Sequence, residues 1–200
     1  MRKYFLVGLL CVAGGLSASA QVAKGSILLG GSLGFNRESD EYLANKHTST
    51  GFSLQPRVSY AVANNLLVGA RLGYSYSKAE NNQSSSATMN GYSGGLFARK
   101  LMPIAGAFGW FGEIGGLYSY SKSRNAPSSG NTSTTEYRSI SASITPGLYY
   151  KPASSWLLSL DMGNLGYSHS KVKSASVTST TNTFGLSFLQ NFNFGVDVIF

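Results

Sequence analysis

The chain has 200 residues, 42% hydrophobic and 12% charged, with 24 Gly, 12 Tyr, 11 Phe and 5 Pro. Globular domains average roughly 25% charge, and this low charge with ample apolar content excludes a wholly disordered chain; no stretch reaches the ~20 apolar residues of a membrane-spanning helix. The formal net charge of +8 permits a nucleic-acid or membrane-surface partner only if the basic residues cluster.

Arg2 and Lys3, an apolar run over residues 4–16 and Ala18-Ser19-Ala20 before Gln21 predict a secretory signal peptide over residues 1–20. The exported domain is then residues 21–200. Cys11 falls inside the apolar run, so that domain has no cysteine, although its compartment would permit disulfides.

From there the sequence alternates with period two, the signature of half-buried strands, and shows almost no helical periodicity. Residues 25–35 put Ile27, Leu29, Leu33 and Phe35 on one face. Residues 51–60 set Phe52, Leu54, Val58 and Tyr60 against Ser53, Gln55, Arg57 and Ser59. Residues 66–76 set Val68, Ala70, Leu72, Tyr74 and Tyr76 against Gly69, Arg71, Gly73 and Ser75. Residues 89–100 alternate more weakly, with Tyr92, Leu96 and Ala98 opposite Ser93, Phe97 and Arg99. Residues 108–120 oppose Trp110, Ile114 and Tyr118 to Phe111, Glu113 and Gly115. The pattern repeats over 139–150, with Ile140, Ile144 and Leu148, and over 156–167, with Leu158 and Leu160 against Ser159 and Asp161. The last strand, 184–200, sets Leu186, Phe194, Val196 and Val198 against Ser187, Gly195 and Asp197, with a break near residues 189–191.

Eight strands result, an even number. Their connections alternate: short at 61–65, 101–107 and 151–155, and long, Ser/Thr/Asn-rich loops at 36–49, 77–88, 121–137 and 168–183. In an antiparallel meander all long loops fall at one end. One face of the strands is Leu, Ile, Val and Phe; the other is mostly Gly, Ser, Thr and a few charges, too small and polar for a dry core. That is the inverse of a soluble barrel and fits a barrel that faces lipid outside and water inside. Tyr60, Trp110, Tyr150, Trp156 and Phe200 lie near the short turns, and Tyr74, Tyr76, Tyr92, Tyr118 and Tyr120 near the long loops. They form two aromatic girdles. A closed barrel also satisfies the backbone hydrogen bonds that lipid cannot.

Asn193-x-Gly195-x-x-Val198-x-Phe200 resembles the C-terminal assembly signal of bacterial outer-membrane barrels. With Gly30-Gly31-Ser32-Leu33-Gly34-Phe35 and the segment from Pro56 to Tyr60, it makes the whole exported domain resemble the small outer-membrane β-barrel family, porin-like or OmpA/OmpX-like. The resemblance implies an all-β, eight-stranded antiparallel up-and-down transmembrane barrel in the outer membrane of a Gram-negative bacterium. It also implies short periplasmic turns, external loops and the barrel-assembly machinery as a partner in biogenesis. It implies no single activity.

Chemistry is sparse. His47 and His169 lie in long connections without the Cys or carboxylate spacing of a zinc site, so no catalytic, cofactor or metal residue is assigned. Gly112-x-x-Gly115-Gly116 lacks the strand-to-helix setting of a phosphate loop and reads as close packing or curvature. The lysines are scattered, which disfavours nucleic acid. Arg37, Lys46, Lys78, Lys122, Arg124, Arg138, Lys171 and Lys173 outnumber Glu38, Asp40, Glu41, Glu80 and Glu136 on the long-loop side. They suit outer-membrane lipid and the phosphates of lipopolysaccharide. A monomer is expected.

Six charges fall inside strands on the polar face: Arg57, Arg71, Arg99, Glu113, Asp161 and Asp197. They are three positive and three negative, all in the half nearer the short turns. The expectation is an ion-paired plug with Glu113 beside Arg99 and within reach of Arg71 or Arg57. The protein then has a structural or interaction role with a plugged lumen; a small porin-like channel and a lipid-modifying enzyme are the alternatives.

Overall fold

The computed structural model describes residues 21–42, 45–81, 86–126, 131–174 and 177–200. The signal-peptide segment lies outside these. Eight strands form one closed antiparallel barrel in sequence order: β1 (Ile27–Tyr42), β2 (Asn45–Ala63), β3 (Leu66–Asn81), β4 (Ser86–Ala105), β5 (Phe108–Ala126), β6 (Ser133–Ala153), β7 (Trp156–Ser174) and β8 (Val177–Ile199). The apolar face is the outer one: Leu33, Leu72, Leu96, Ile114, Ile140 and Phe194 all stand exposed.

The strands are longer than the alternation predicts, and this corrects the expectation of long loops. β1 and β2 pair from Ile27 opposite Tyr60 to Tyr42 opposite Asn45, and β5 and β6 stay paired out to Asn125 opposite Ser133. Most of each presumed loop is a continued hairpin. The physical reason is that a ladder needs only backbone donors and acceptors, whereas period-two amphipathicity is imposed by lipid on one face. Where water wets both faces, Ser and Thr occupy both, and the pattern vanishes while the strand goes on.

The short connections are two-residue turns at 64–65, 106–107 and 154–155. Asn65 and Gly106 have positive φ, 62° and 53°, as tight hairpins demand. The seam from β1 to β8 is brief. Residues 28–31 pair with 196–199, and Ile27 and Phe200 exchange backbone hydrogen bonds at 3.1 and 2.8 Å. Along β7–β8 the register shifts so that Asp161 faces Asn193 while Gly163 faces Phe188, which puts the irregularity where the break in β8 is expected.

Residues ahead of β1 are folded into the turn end. Val22 N donates to Asn65 Oδ1 at 2.8 Å, Asn65 N returns a bond to Val22 O at 2.9 Å, and Lys24 N donates to Asn64 Oδ1 at 2.9 Å. Lys151 Nζ reaches Gln21 O at 2.7 Å. Val22 is thereby fully buried, with Leu28, Ala61, Leu67, Leu101, Phe111, Tyr149 and Leu157. The lumen thus has a dry apolar floor at the turn end, contrary to the reading of a wholly polar interior.

Candidate functional site

The site is the middle of the lumen, directly above that floor. Along β5, Phe111, Glu113, Gly115 and Leu117 point inward in succession, so each step of two residues climbs one layer. Phe111 belongs to the floor and Glu113 to the layer above. Arg99 lies directly opposite Glu113 across the β4–β5 hairpin. Its Nε donates to Glu113 Oε2 at 2.8 Å. Arg71 Nη2 on β3 donates to the other carboxylate oxygen, Oε1. β4 lies between them, but the residue it sets opposite Arg71 is Gly95, so no side chain obstructs the reach. One carboxylate therefore holds two arginines, and Arg99 and Glu113 are 3% and 5% exposed.

The second pair follows the same rule. Gly30 on β1 is opposite Arg57 on β2 and Asp197 on β8. Arg57 bridges over it, Nε to Asp197 Oδ1 at 2.7 Å and Nη2 to Oδ2 at 2.5 Å, a bidentate geometry suited to guanidinium and carboxylate. Its Nη2 also donates to Ser159 Oγ at 3.1 Å. A Cβ on Gly30 would run into the Asp197 carboxylate, and one on Gly195 would meet Arg57 Nη2. Gly30 is thus a close-approach glycine.

Aromatic rings separate the layers. The Arg99 guanidinium stands 4.2 Å over the Phe111 ring, and that of Arg71 4.8 Å over Phe97, within cation–π range. Buried charge thus rests directly on the apolar floor. Beyond it, toward the hairpins, opens a cavity of about 540 Å³ of mixed lining, with Ser141, Ser143, Thr145 and Asn164 beside Leu117 and Ala142, and with Arg71 and Asp161 also on its wall.

All six charges named from the sequence lie in the lumen. Five form two ion-pair groups, and Arg57 goes to Asp197 rather than to Glu113. Asp161 is the exception to the expected network: no arginine pairs with it among the described residues, and its Oδ2 accepts from Asn193 Nδ2 at 3.3 Å. The reason is register, since β7 sets Asp161 beside Gly147 and Asn193, neither of which is basic. Of the residues in the assembly motif, Gly195 and Asn193 therefore also serve this layer, Val198 pairs with Leu29 and Trp156, and Phe200 is exposed on the outer face. His169 Nδ1 lies 2.7 Å from Asn182 Oδ1 on the outer face; the side chain of His47 is outside the described residues.

The sequence reading missed the apolar floor and the tucked segment around Val22. Leu67 and Leu157 each lie two residues past a turn and Leu101 five before one, and their inward parity relative to Val68, Leu158 and Met102 is the available signal.

A family model for the outer membrane protein β-barrel domain matches residues 7–200. The translocator domain of the autotransporter NalP from Neisseria meningitidis is 15% identical, with a TM-score of 0.52 over 98% of this chain and 74% of that one. A major outer membrane protein from Thermus thermophilus is 13% identical, with a TM-score of 0.51 over 91% of this chain and 100% of that one. Neisserial surface protein A is 19% identical over 90% and 99% of the two chains, with a TM-score of 0.42. At these identities the likeness is one of fold alone. No curated protein matches the sequence.

Proposed function

This chain belongs to the outer membrane protein β-barrel domain family and is a protein of the bacterial outer membrane, and from that premise we propose a structural or interaction role, exercised through the hairpins, with a lumen closed to solutes. One observation supports the reading above others: two different seals are stacked in the same half of the barrel. The apolar floor from Val22 to Leu157 excludes water, and the layer above it ties Glu113 to Arg99 and Arg71 and Asp197 to Arg57. An eight-stranded barrel is just wide enough for side chains to fill it, so either layer suffices to obstruct passage. The hairpins in turn project paired, polar backbone well beyond the apolar band, which offers a rigid surface for a partner.

Solute efflux from salt-loaded vesicles tests the closed lumen. Vesicles holding the wild-type barrel are expected to leak no faster than empty ones. Leakage graded by solute size would identify a small porin instead. For the interaction role, in-cell cross-linking from residues in the β5–β6 hairpin is expected to capture a partner that a barrel trimmed of that hairpin loses.

A further inference from the structure

We propose that the outward face of the β5–β6–β7 hairpin region binds a phosphorylated lipid headgroup of the leaflet from which the hairpins emerge. Strand parity makes the case first. On β5 the lipid-facing row runs through Trp110, Ile114 and Tyr118 and continues without interruption to Tyr120, Lys122 and Arg124. On β6 the corresponding row ends in Arg138 and Glu136, and on β7 it passes Leu165 and Tyr167 to reach Lys171 and Lys173. The ladder sets Lys122 opposite Glu136 and Glu136 opposite Lys173, and Tyr120 opposite Arg138 and Arg138 opposite Lys171. Neighbouring strands lie about 4.8 Å apart. Five cations thus share a patch three strands wide with a single carboxylate, Glu136, whose Oε2 is 3.5 Å from Arg138 Nη2. Lys122, Arg124, Lys171 and Lys173 are all exposed, and none has an ion-pair partner among the described residues.

Depth then selects the partner. Tyr92, Tyr118 and Tyr167 are exposed on the same outer face just below the cations, and aromatic belts sit at the level of lipid headgroups. Lys122 and Arg124 stand two and four residues beyond Tyr120, roughly 7 and 13 Å along the strand, which is the headgroup layer itself. A soluble polyanion would have to press against the membrane to reach them; a lipid headgroup is already there. The same face has a recess of about 560 Å³ lined by Thr88, Asn90, Tyr92, Tyr120, Lys122 and Arg124. Its two cations match phosphate oxygens, and its hydroxyl and amide groups can bond an adjoining sugar or glycerol. On β3, across Thr88 from Arg124, Lys78 is instead paired with Glu80 at 2.6 Å.

The test uses the folded barrel in an uncharged maltoside detergent, titrated with diphosphoryl lipid A or with its dephosphorylated form and read by tyrosine and tryptophan fluorescence. A Lys122→Gln/Arg124→Gln/Lys171→Gln/Lys173→Gln variant is compared with a Lys24→Gln/Lys100→Gln control at the turn end, each checked for heat-modifiable gel mobility. Each basic group near a membrane surface contributes about 1 kcal/mol, so the fourfold variant is expected to bind diphosphoryl lipid A about 700-fold more weakly. The control is expected to bind as wild type does, and the dephosphorylated lipid to bind weakly to all three. If the fourfold variant does not fold, Lys171→Gln/Lys173→Gln alone is expected to cost about 30-fold. Undiminished binding by a folded variant, equal binding of the dephosphorylated lipid, or displacement of the lipid by excess inorganic phosphate alone would each overturn the proposal.

Discussion

The turn end and the hairpin end of this barrel are made by the same eight strands under opposite constraints. At the turn end, bilayer outside and packed side chains inside leave no water on either face, so the interior is filled by Leu67, Leu101, Phe111, Tyr149 and Leu157 and topped by buried ion pairs. At the hairpin end both faces are wet, and the strands continue on backbone pairing with Ser and Thr on either side. Between them the lumen opens into a cavity of about 540 Å³. The difference teaches that buried packing and ion pairing are concentrated in one half of the strand length, on which the proposed closure rests, while the proposed interaction surface rests on the other. Substitutions should therefore divide sharply by height in the barrel.

The largest effect is expected at Glu113. Glu113→Ala leaves Arg99 and Arg71 without their shared carboxylate, and removing one partner from a buried pair costs about 3–5 kcal/mol. Equilibrium unfolding of the barrel in urea and lipid vesicles measures this, and a loss below about 1 kcal/mol would show that lumen water already screens the group. Phe111→Ala is expected to cost about 3 kcal/mol by opening a cavity in the floor, with a further loss because Arg99 rests on that ring. Gly30→Ala comes next. Its Cβ collides with Asp197 and with the Val196 backbone, so the β1–β8 seam should weaken by about 1–3 kcal/mol, and Arg57→Ala in the same background should then cost less than it does alone. The smallest effects sharpen the contrast from the other end. Asp161→Asn, which removes a charge that no arginine holds, and Ser123→Ala on the β5–β6 hairpin are both expected within about 0.5 kcal/mol of wild type. A hairpin substitution as costly as Phe111→Ala would erase the distinction.

Sequence alone made the membrane half legible, because lipid writes a period-two code into it. Strand number, outward Leu and Phe, the girdles and the inward parity of Arg57, Arg71, Arg99, Glu113, Asp161 and Asp197 all follow from alternation. The partnerships were only partly legible. Arg99 and Glu113 are neighbours across one hairpin, so their meeting depends on a turn length that can be counted. Arg57 and Asp197 meet across β1 through the closing seam, and no local pattern encodes a register that brings together two residues 140 apart in sequence. Asp161 stands outside the ion pairs because register sets it beside Gly147 and Asn193, which is equally non-local. The hairpins were illegible as strands because polar residues on both faces look like a loop. Val22 was invisible because burial of a lone valine ahead of β1 depends on two asparagine side chains, Asn64 and Asn65, in a distant turn.

Single-channel recording in planar bilayers tests the stacked seal most directly. The wild-type barrel is expected to show no conductance steps. A Phe111→Ala/Glu113→Ala double variant, which thins the floor and releases both arginines, is expected to open small, discrete ones. A wild-type channel that already conducts, with steps unchanged by the double substitution, would contradict a lumen closed by these two layers.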